Sequence, residues 1–265
     1  MLNFFRKIQL IVNNDKISDI LYVMLMTEEF DKIKEFAEST LGELPEVIKL
    51  LDKFDEKAAL EQFNENLNLY LGGKNIPKKI ASLVALSVAA ANGPKESAMI
   101  HFKLAKKFGA EDLEIIDALR ATKMSLMSST LSSIENFIDG EHYEIDEETE
   151  NILKKVENEA GVIPERIKNL SKFSKEMLKE HLRERAELLN SRKLEKKYVF
   201  LIAYSVSASI HDKDCEKVYM EQYIKNYGSI DEIQEAINIV RFITGNRVFV
   251  NALDILRTMD KNSKF

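Results

Sequence analysis

Cysteine, proline and glycine are all scarce in this chain of 265 residues, which has one cysteine, four prolines and nine glycines. With Cys215 alone, no disulfide can form within the chain, and this cysteine usage predicts a protein of the reducing cytoplasm. The scarcity of helix breakers, together with abundant lysine, glutamate, leucine and isoleucine, predicts an all-α fold.

The chain also lacks a stretch in which basic residues are concentrated. Its 38 basic and 44 acidic residues are interspersed and give a net charge of −6, so no basic stripe is present that could neutralise phosphates, and nucleic acid is not an expected partner. Charged residues such as Arg6, Lys7 and Asp15 interrupt the apolar N-terminal segment. They exclude a spanning helix of about 20 apolar residues, so we expect residues 1–29 to form an amphipathic helical extension and expect no membrane partner.

An internal repeat organises the rest of the chain. GELPEVIKLLDKF (42–54) and GVIPERIKNLSKF (161–173) share 8 of 13 residues, and KKIASLVALSVAA (78–90) and KKYVFLIAYSVSA (196–208) share 7 of 13. The offset is 119 residues in the first pair and 118 in the second, and FGAEDLEIIDAL is matched more weakly by YGSIDEIQEAI at the same spacing. A period of this length indicates two domain-sized copies and not a short solenoid repeat.

We therefore predict four segments: an extension over 1–29, a first copy over 30–140, an acidic linker over 141–148 and a second copy over 149–258. Within each copy the apolar spacing predicts helices. Residues 78–92 are apolar on every face, which is typical of a buried helix, and Ser229 and Glu232 have the spacing of a capping box. Gly42 is expected to end a helix in the left-handed conformation.

The order of these elements carries a resemblance. The long apolar helix KKIASLVALSVAAANG, the turn at Gly93-Pro94, the helix that carries His101 and the closing FGAEDLEIIDAL together resemble the carboxymuconolactone decarboxylase and alkylhydroperoxidase D-like family. The resemblance implies antiparallel helices in which two family units pair about a two-fold axis. Here the two copies would form that pair as an internal pseudo-dimer, and larger homo-oligomers are expected as in the family.

The resemblance also implies a site, Cys-x-x-Cys-x-x-x-His, with a glutamate twelve residues before the first cysteine. In the first copy, the cysteine positions hold Pro94 and Ser97, the histidine is His101 and the glutamate position holds Ser82. A dithiol cycle needs a second thiol to close the disulfide, and this copy has none.

In the second copy, the two cysteine positions hold Asp212 and Cys215, the histidine position holds Tyr219 and the glutamate position holds Phe200. One cysteine of four therefore remains across both copies. We predict that the two-cysteine cycle of the peroxidase branch cannot run in this chain.

Two functions stay open. The chain is either a catalytically degenerate scaffold that binds a small molecule or a protein partner, or a divergent enzyme. The enzyme would reduce peroxide through Cys215 alone or perform acid–base chemistry of the decarboxylase or isomerase type around His101. Ser97 and Glu96 are the candidate partners of His101, although Glu96 and His101 lie about 140° apart on a helix.

No metal or cofactor is expected. The segment HDKDC (211–215) contains metal-ligating residue types, but surface turn residues explain it better because no second histidine is in reach. The sequence also contains no glycine-rich phosphate loop and no serine–histidine–aspartate triad at a family-typical spacing.

Overall fold

The computed structural model describes residues 31, 34–35, 37–39, 43–138, 145–160 and 163–262. Within these residues the regular structure is entirely helical, which confirms the all-α prediction. The predicted extension over 1–29 and the predicted helix end at Gly42 lie outside the described residues. No helix of the described residues is long and apolar enough to cross a membrane.

The helices of the described residues from Glu46 onward are numbered in chain order. They are α1 (Glu46–Phe54), α2 (Glu56–Asn66), α3 (Lys78–Asn92), α4 (Lys95–Lys107), α5 (Asp112–Thr130), α6 (Glu135–Ile138), α7 (Glu147–Ala160), α8 (Glu165–Phe173), α9 (Lys175–Leu188), α10 (Lys196–Ser209), α11 (Lys213–Lys225), α12 (Ile230–Asn251) and α13 (Leu253–Asn262). A π-helical segment, Leu67–Leu71, extends α2, and a 3₁₀ turn, Leu131–Ile134, joins α5 to α6.

The chain divides into two compact units. The first comprises Met1–Asn64 and Leu256–Phe265, and the second comprises Glu65–Ile255. In the first unit, Arg257 forms a bidentate ion pair with Glu46, at 2.6 and 2.8 Å. The second unit contains every residue of the candidate sites described below.

Two central helices, α3 and α10, form the core of the second unit. Every residue from Ile80 to Ala89 in α3 is buried, as the uniformly apolar pattern predicts, and α10 is buried along nearly all of its length. Their alanine and serine side chains are small, so neighbouring backbones can approach closely. The two helices pack against each other, and each also packs against the helix that follows it, α4 and α11 respectively.

Two carboxylates tie the helix sets α3–α5 and α10–α12 together, and we call them the cross-set latches. Asp117 on α5 accepts hydrogen bonds from the backbone N–H groups of residues 192–194, just before α10, at 2.8 to 3.1 Å. Glu235 on α12 accepts three equivalent hydrogen bonds from the backbone N–H groups of residues 74–76, just before α3, at 2.8 to 3.3 Å. The two carboxylates are 118 residues apart, the offset of the repeat.

Other pairs follow the same offset. Lys79 binds Glu114 at 2.7 Å, and Lys197 binds Glu232 at 3.1 Å. The capping box predicted at Ser229 and Glu232 is confirmed, and Glu111 and Glu114 form a second one at the start of α5. These matched contacts support the two-copy organisation, which stays a prediction.

The segment between the helix sets joins the fold through α7. Residues 139–144, which include the first half of the linker predicted over 141–148, lie outside the described residues, and α7 begins at Glu147. Asp146 accepts hydrogen bonds from the backbone and the hydroxyl of Thr149 at 2.9 and 2.7 Å, which caps this helix. Apolar side chains of α7, α8 and α9 then share one buried cluster with the 3₁₀ turn Leu131–Ile134 and with α6: Ile134, Ile138, Ile167, Leu170 and Leu178, flanked by Ile152, Val156 and Leu182.

Candidate functional site

The first candidate site surrounds His101 on α4. Pro94 begins this helix at its N-cap, where its missing N–H costs no helix bond, and the helix then buries Ser97 and His101 on one face, four residues apart. The ring of His101 is 6% exposed and meets Tyr70 edge-on at 5.4 Å. Its Nδ1 has no hydrogen-bond partner among the described residues. Burial lowers the pKa of His101 to about 4, so the imidazole is neutral at physiological pH.

Tyr70 reaches this site from the π-helical segment. Its hydroxyl donates to the Ser82 hydroxyl at 3.1 Å, and Ser82 donates to the Lys78 carbonyl at 2.9 Å. Desolvation raises the pKa of Tyr70 above its ordinary range. Ser82 stands at the position that the resemblance gives to the glutamate, so a neutral hydroxyl pair lies where a carboxylate was implied.

The structure separates Glu96 from the other predicted residues of this site. Ser97 and His101 lie on the buried face of α4, at 8% and 6% exposure. Glu96 lies in the first turn and is exposed. The first site therefore brings together Ser97, His101, Tyr70 and Ser82, and holds no carboxylate of α4.

The second candidate site is built on a buried ion pair. The guanidinium of Arg166, on α8, binds both carboxylate oxygens of Asp212 at 2.8 Å. It also donates to the Ser128 carbonyl at 3.1 Å. Desolvation opposes both charges, but the hydrogen bonds outweigh it: the pKa of Asp212 is lowered and that of Arg166 is raised. Both charges therefore persist at neutral pH.

Cys215 is bonded into this pair. Asp212 caps α11 by accepting the Cys215 N–H at 3.2 Å, while the thiol donates to the Ser128 hydroxyl at 3.3 Å and accepts from Arg166 at 3.0 Å. The residue is 6% exposed. Burial raises the pKa of the thiol to about 11, although the Arg166 charge opposes this. Since the thiolate is the nucleophile, the predicted reactive residue is held in its unreactive form.

Tyr219 occupies the histidine position of the second site. Its ring is fully buried, and its hydroxyl, although near Ser125, has no hydrogen bond of good geometry within the described part of the chain. Burial raises its pKa to about 12, against an opposing effect of Arg185, whose guanidinium lies 5.3 Å from the ring centre. His181, one turn before Arg185 on α9, has its pKa lowered to about 4 by burial and by the charges of Arg185 and Arg166.

A cavity of about 840 Å³ lies beside the second site, between α7, α9, α10 and α11. Arg185 and Phe200 line it, whereas Asp212, Cys215 and Tyr219 do not. Phe200 stands at the position that the resemblance gives to the glutamate, and the guanidinium of Arg185 covers the ring of Tyr219. The cavity therefore extends to both of these features of the second site. In the described residues, no group of three or more histidine, cysteine, aspartate or glutamate side chains is placed to hold a metal ion.

Comparison with known proteins finds a family match in the first half of the chain. The sequence profile of the carboxymuconolactone decarboxylase family matches residues 55–125, from α2 to the middle of α5. Over these residues the chain is similar to the carboxymuconolactone decarboxylase family. The match includes His101, Ser97 and Ser82, and confirms the resemblance seen in the sequence.

The fold extends this likeness beyond the carboxymuconolactone decarboxylase segment. A crystal structure from Burkholderia xenovorans LB400, provisionally assigned as a gamma-carboxymuconolactone decarboxylase subunit, superposes with a TM-score of 0.71 and 14% sequence identity. The superposition covers 88% of this chain and 98% of that one, so it extends over both helix sets. At this identity the likeness concerns the fold alone. No curated protein matches the sequence.

Several residues of these sites were not predicted. Arg166 differs from its repeat counterpart Val47, and a charged residue at a position that is apolar in the first copy is the signal that could have revealed it. Tyr70, Arg185 and His181 gave no such signal, because they lie outside the carboxymuconolactone decarboxylase motif and reach the sites only through tertiary packing.

Proposed function

We propose that this chain is a carboxymuconolactone decarboxylase-like scaffold that binds a small molecule and runs no dithiol chemistry. The main observation in support of this proposal is the cavity of about 840 Å³ beside the second site. Its size is within the usual range of small-molecule sites. The state of Cys215 supports the second half of the proposal, since the chain's one thiol is buried, hydrogen-bonded and protonated at neutral pH.

A cavity-filling variant tests the binding half. Ala186 lines the cavity, so Ala186→Trp should fill it, whereas Lys123→Trp adds the same side chain at an exposed position on α5. We expect purified wild-type protein to bind 8-anilinonaphthalene-1-sulfonate or its uncharged parent N-phenyl-1-naphthylamine, measured by fluorescence titration. Ala186→Trp should abolish binding and Lys123→Trp should keep it. If Ala186→Trp changes the binding of neither dye, the cavity is not a ligand site.

A peroxide assay tests the other half. With hydrogen peroxide and dithiothreitol, the protein should show no turnover above the buffer rate, because Cys215 is buried and its pKa is raised to about 11, so little of the attacking thiolate is present. Peroxide consumption that disappears in Cys215→Ser would contradict the proposal and favour the single-thiol enzyme.

Acid–base chemistry at His101 is the second candidate function. One observation favours it: the π-helical segment, a feature often found at functional sites, places Tyr70 against an imidazole whose Nδ1 is unpaired within the described residues. The low pKa of His101 would make it a proton acceptor of weak basicity. Turnover of a lactone or β-keto acid that His101→Gln abolishes, with the fold intact by circular dichroism, would establish this function.

Homo-oligomerisation and a cytoplasmic location remain proposals. Three apolar side chains on α5 support the first, because Leu113, Ile116 and Leu119 are 48%, 45% and 37% exposed and apolar patches of this kind often mark interfaces. Size-exclusion chromatography with light scattering should give a mass above 30.4 kDa, and Ile116→Glu should shift it towards the monomer.

A further inference from the structure

The cavity between α7, α9, α10 and α11 carries charge of one sign. Its lining includes Lys155, Lys179, Arg185 and Lys196, and it includes no aspartate or glutamate. The chain as a whole has a net charge of −6. Positive charge is therefore concentrated in a concave part of a protein whose overall charge is negative, and a concave site focuses such a field on a ligand.

Most of this charge is not neutralised by the protein. Lys179 forms an ion pair with Glu148 on α7. Lys155, Arg185 and Lys196 have no ion-pair partner within the described ranges. Three cations are therefore available to a ligand.

The rest of the lining is largely apolar. Ile152 and Val156 of α7, Leu182 of α9, Leu189 just after α9 and Phe200 of α10 all line it. Two of the cations lie against aromatic rings: Lys196 is 6.0 Å from the centre of Phe200, and Arg185 is 5.3 Å from that of Tyr219. Such contacts fix the cations over an apolar surface. A ligand that satisfies both features has an apolar body and an anionic group.

Two of these cations have no free counterpart in the first copy of the repeat. At the repeat offsets of 119 and 118, Arg185 corresponds to Asn66 or Leu67. Lys196 corresponds to Lys78, whose ammonium group donates to the carbonyls of Leu71 and Gly73 and is thereby used within the fold. The combination of Arg185 and Lys196 at one cavity thus belongs to the second copy.

From these contacts we infer that the cavity binds an organic anion with an apolar body, the anionic group lying at Arg185 and Lys196 and the body against Phe200 and Leu182. The inference rests on the proposed small-molecule function and names its ligand class. Carboxylates, sulfonates and phosphate monoesters share the required chemistry. Of the family motif positions, Asp212, Cys215 and Tyr219 do not line this cavity, whereas Phe200, at the glutamate position, does. The cavity therefore adjoins the site that the family motif implies and does not include its cysteine and histidine positions.

A matched pair of dyes tests the ligand class. 8-Anilinonaphthalene-1-sulfonate and N-phenyl-1-naphthylamine differ only in the sulfonate, so the ratio of their dissociation constants reports the contribution of the charge. We expect the anionic dye to bind about tenfold more tightly, and to lose affinity when the salt concentration rises from about 50 to about 500 mM, because the cations are accessible to solvent ions.

Variants that each remove one positive charge show which residues bind the sulfonate group of the dye. Arg185→Met and Lys196→Met should each weaken the sulfonated dye about fivefold and leave the uncharged dye unchanged. Lys123→Met, which removes an exposed cation of α5, should alter neither. Urea unfolding of each variant checks that the fold is intact, and Lys196→Met serves if Arg185→Met unfolds.

Each contrary outcome has a distinct meaning. If both dyes bind equally and Ala186→Trp still displaces them, the cavity is a small-molecule site but the anionic class is wrong. If the sulfonated dye binds and neither charge variant weakens it, the assignment of the anionic group to these residues is overturned. If neither dye binds, both the ligand class and the proposed function fail.

Discussion

The two helix sets hold different chemistry in the same frame. Around His101 the first set places a neutral imidazole against Tyr70 and a pair of hydroxyl groups. Around Cys215 the second set places a buried guanidinium and carboxylate. The cross-set latches, Asp117 and Glu235, are nevertheless matched at the repeat offset. The comparison shows that the latches are the same in both sets although the site residues differ, so variants can remove a latch without changing a site, or the reverse.

The largest effect should come from the ion pair of the second set. Arg166→Met leaves Asp212 buried without its partner, and a buried charge that loses its partner costs about 3–5 kcal/mol. Urea unfolding should show this loss, and the double variant Arg166→Met, Asp212→Asn should recover part of it. Arg183→Met, which removes an exposed ion pair with Glu180, should lower the free energy of unfolding only slightly, because solvent screens the pair. A loss of that small size in Arg166→Met would mean that the pair does not hold the second site together.

The next effect concerns His101 and acid. Burial lowers its pKa from 6.5 to about 4, so the unfolded chain binds this proton more readily than the folded one. The stability contribution is therefore complete above pH 6.5 and is lost as the pH falls towards 4, by up to roughly 3 kcal/mol. His101→Leu should flatten the fall in the free energy of unfolding between these pH values.

Titration of the histidine ring protons by NMR checks this directly. The His101 signal should not shift between pH 8 and about 5. His211→Asn, at an exposed position, is the control and should leave the His101 signal unchanged. A His101 signal that titrates near pH 6.5 would show that the ring reaches solvent.

Removing either cross-set latch should lower the free energy of unfolding by an intermediate amount, and each removal should affect a different segment of the backbone. Asp117→Asn removes the charge that three backbone N–H groups share, and hydrogen bonds to charged groups contribute about 1.5–3 kcal/mol. Hydrogen exchange should accelerate at residues 192–194 in this variant and not at 74–76, and Glu235→Gln should give the reverse. Glu221→Gln, at an exposed position on α11, should change neither.

Acid should also act on the Asp117 latch. The backbone bonds from Leu194, Lys193 and Arg192 outweigh desolvation and lower the pKa of Asp117. Its contribution is therefore present above the unfolded pKa of about 3.9 and is lost as the pH falls through the folded value. Equal exchange rates at residues 192–194 in wild type and Asp117→Asn would exclude the latch role.

The smallest effect concerns one turn that the two sets share. Gly109 and Tyr227 are 118 residues apart, and both have positive φ, 86° and 68°. Glycine adopts this conformation without the cost that a side chain imposes. Tyr227→Gly should therefore raise the free energy of unfolding by up to about 1 kcal/mol, and Gly109→Ala should lower it by a similar amount, as measured by thermal unfolding. Opposite signs would show that contacts of the Tyr227 side chain dominate.

Local features of this fold could be predicted from the sequence, whereas contacts between distant segments could not. Pro77 and Pro94 mark helix starts because proline fixes its own φ, and Ser229 with Glu232 forms a cap within one turn. His101, Ser97 and Cys215 were identified because a spacing along one helix defines the family motif. By contrast, Asp117 binds backbone groups 75 or more residues away, and no local pattern indicates such a partner.

The cross-set latches make the two halves of the chain interdependent. Each set carries the acceptor that closes the loop of the other, so a fragment cut between α6 and α7 would expose three backbone amides whose acceptor lies on the missing piece. The two fragments would then be expected to regain the fold only in each other's presence, as in complementation of split proteins. In such an arrangement one half can lose its reactive groups and still be retained in the protein, because the other half needs it in order to fold.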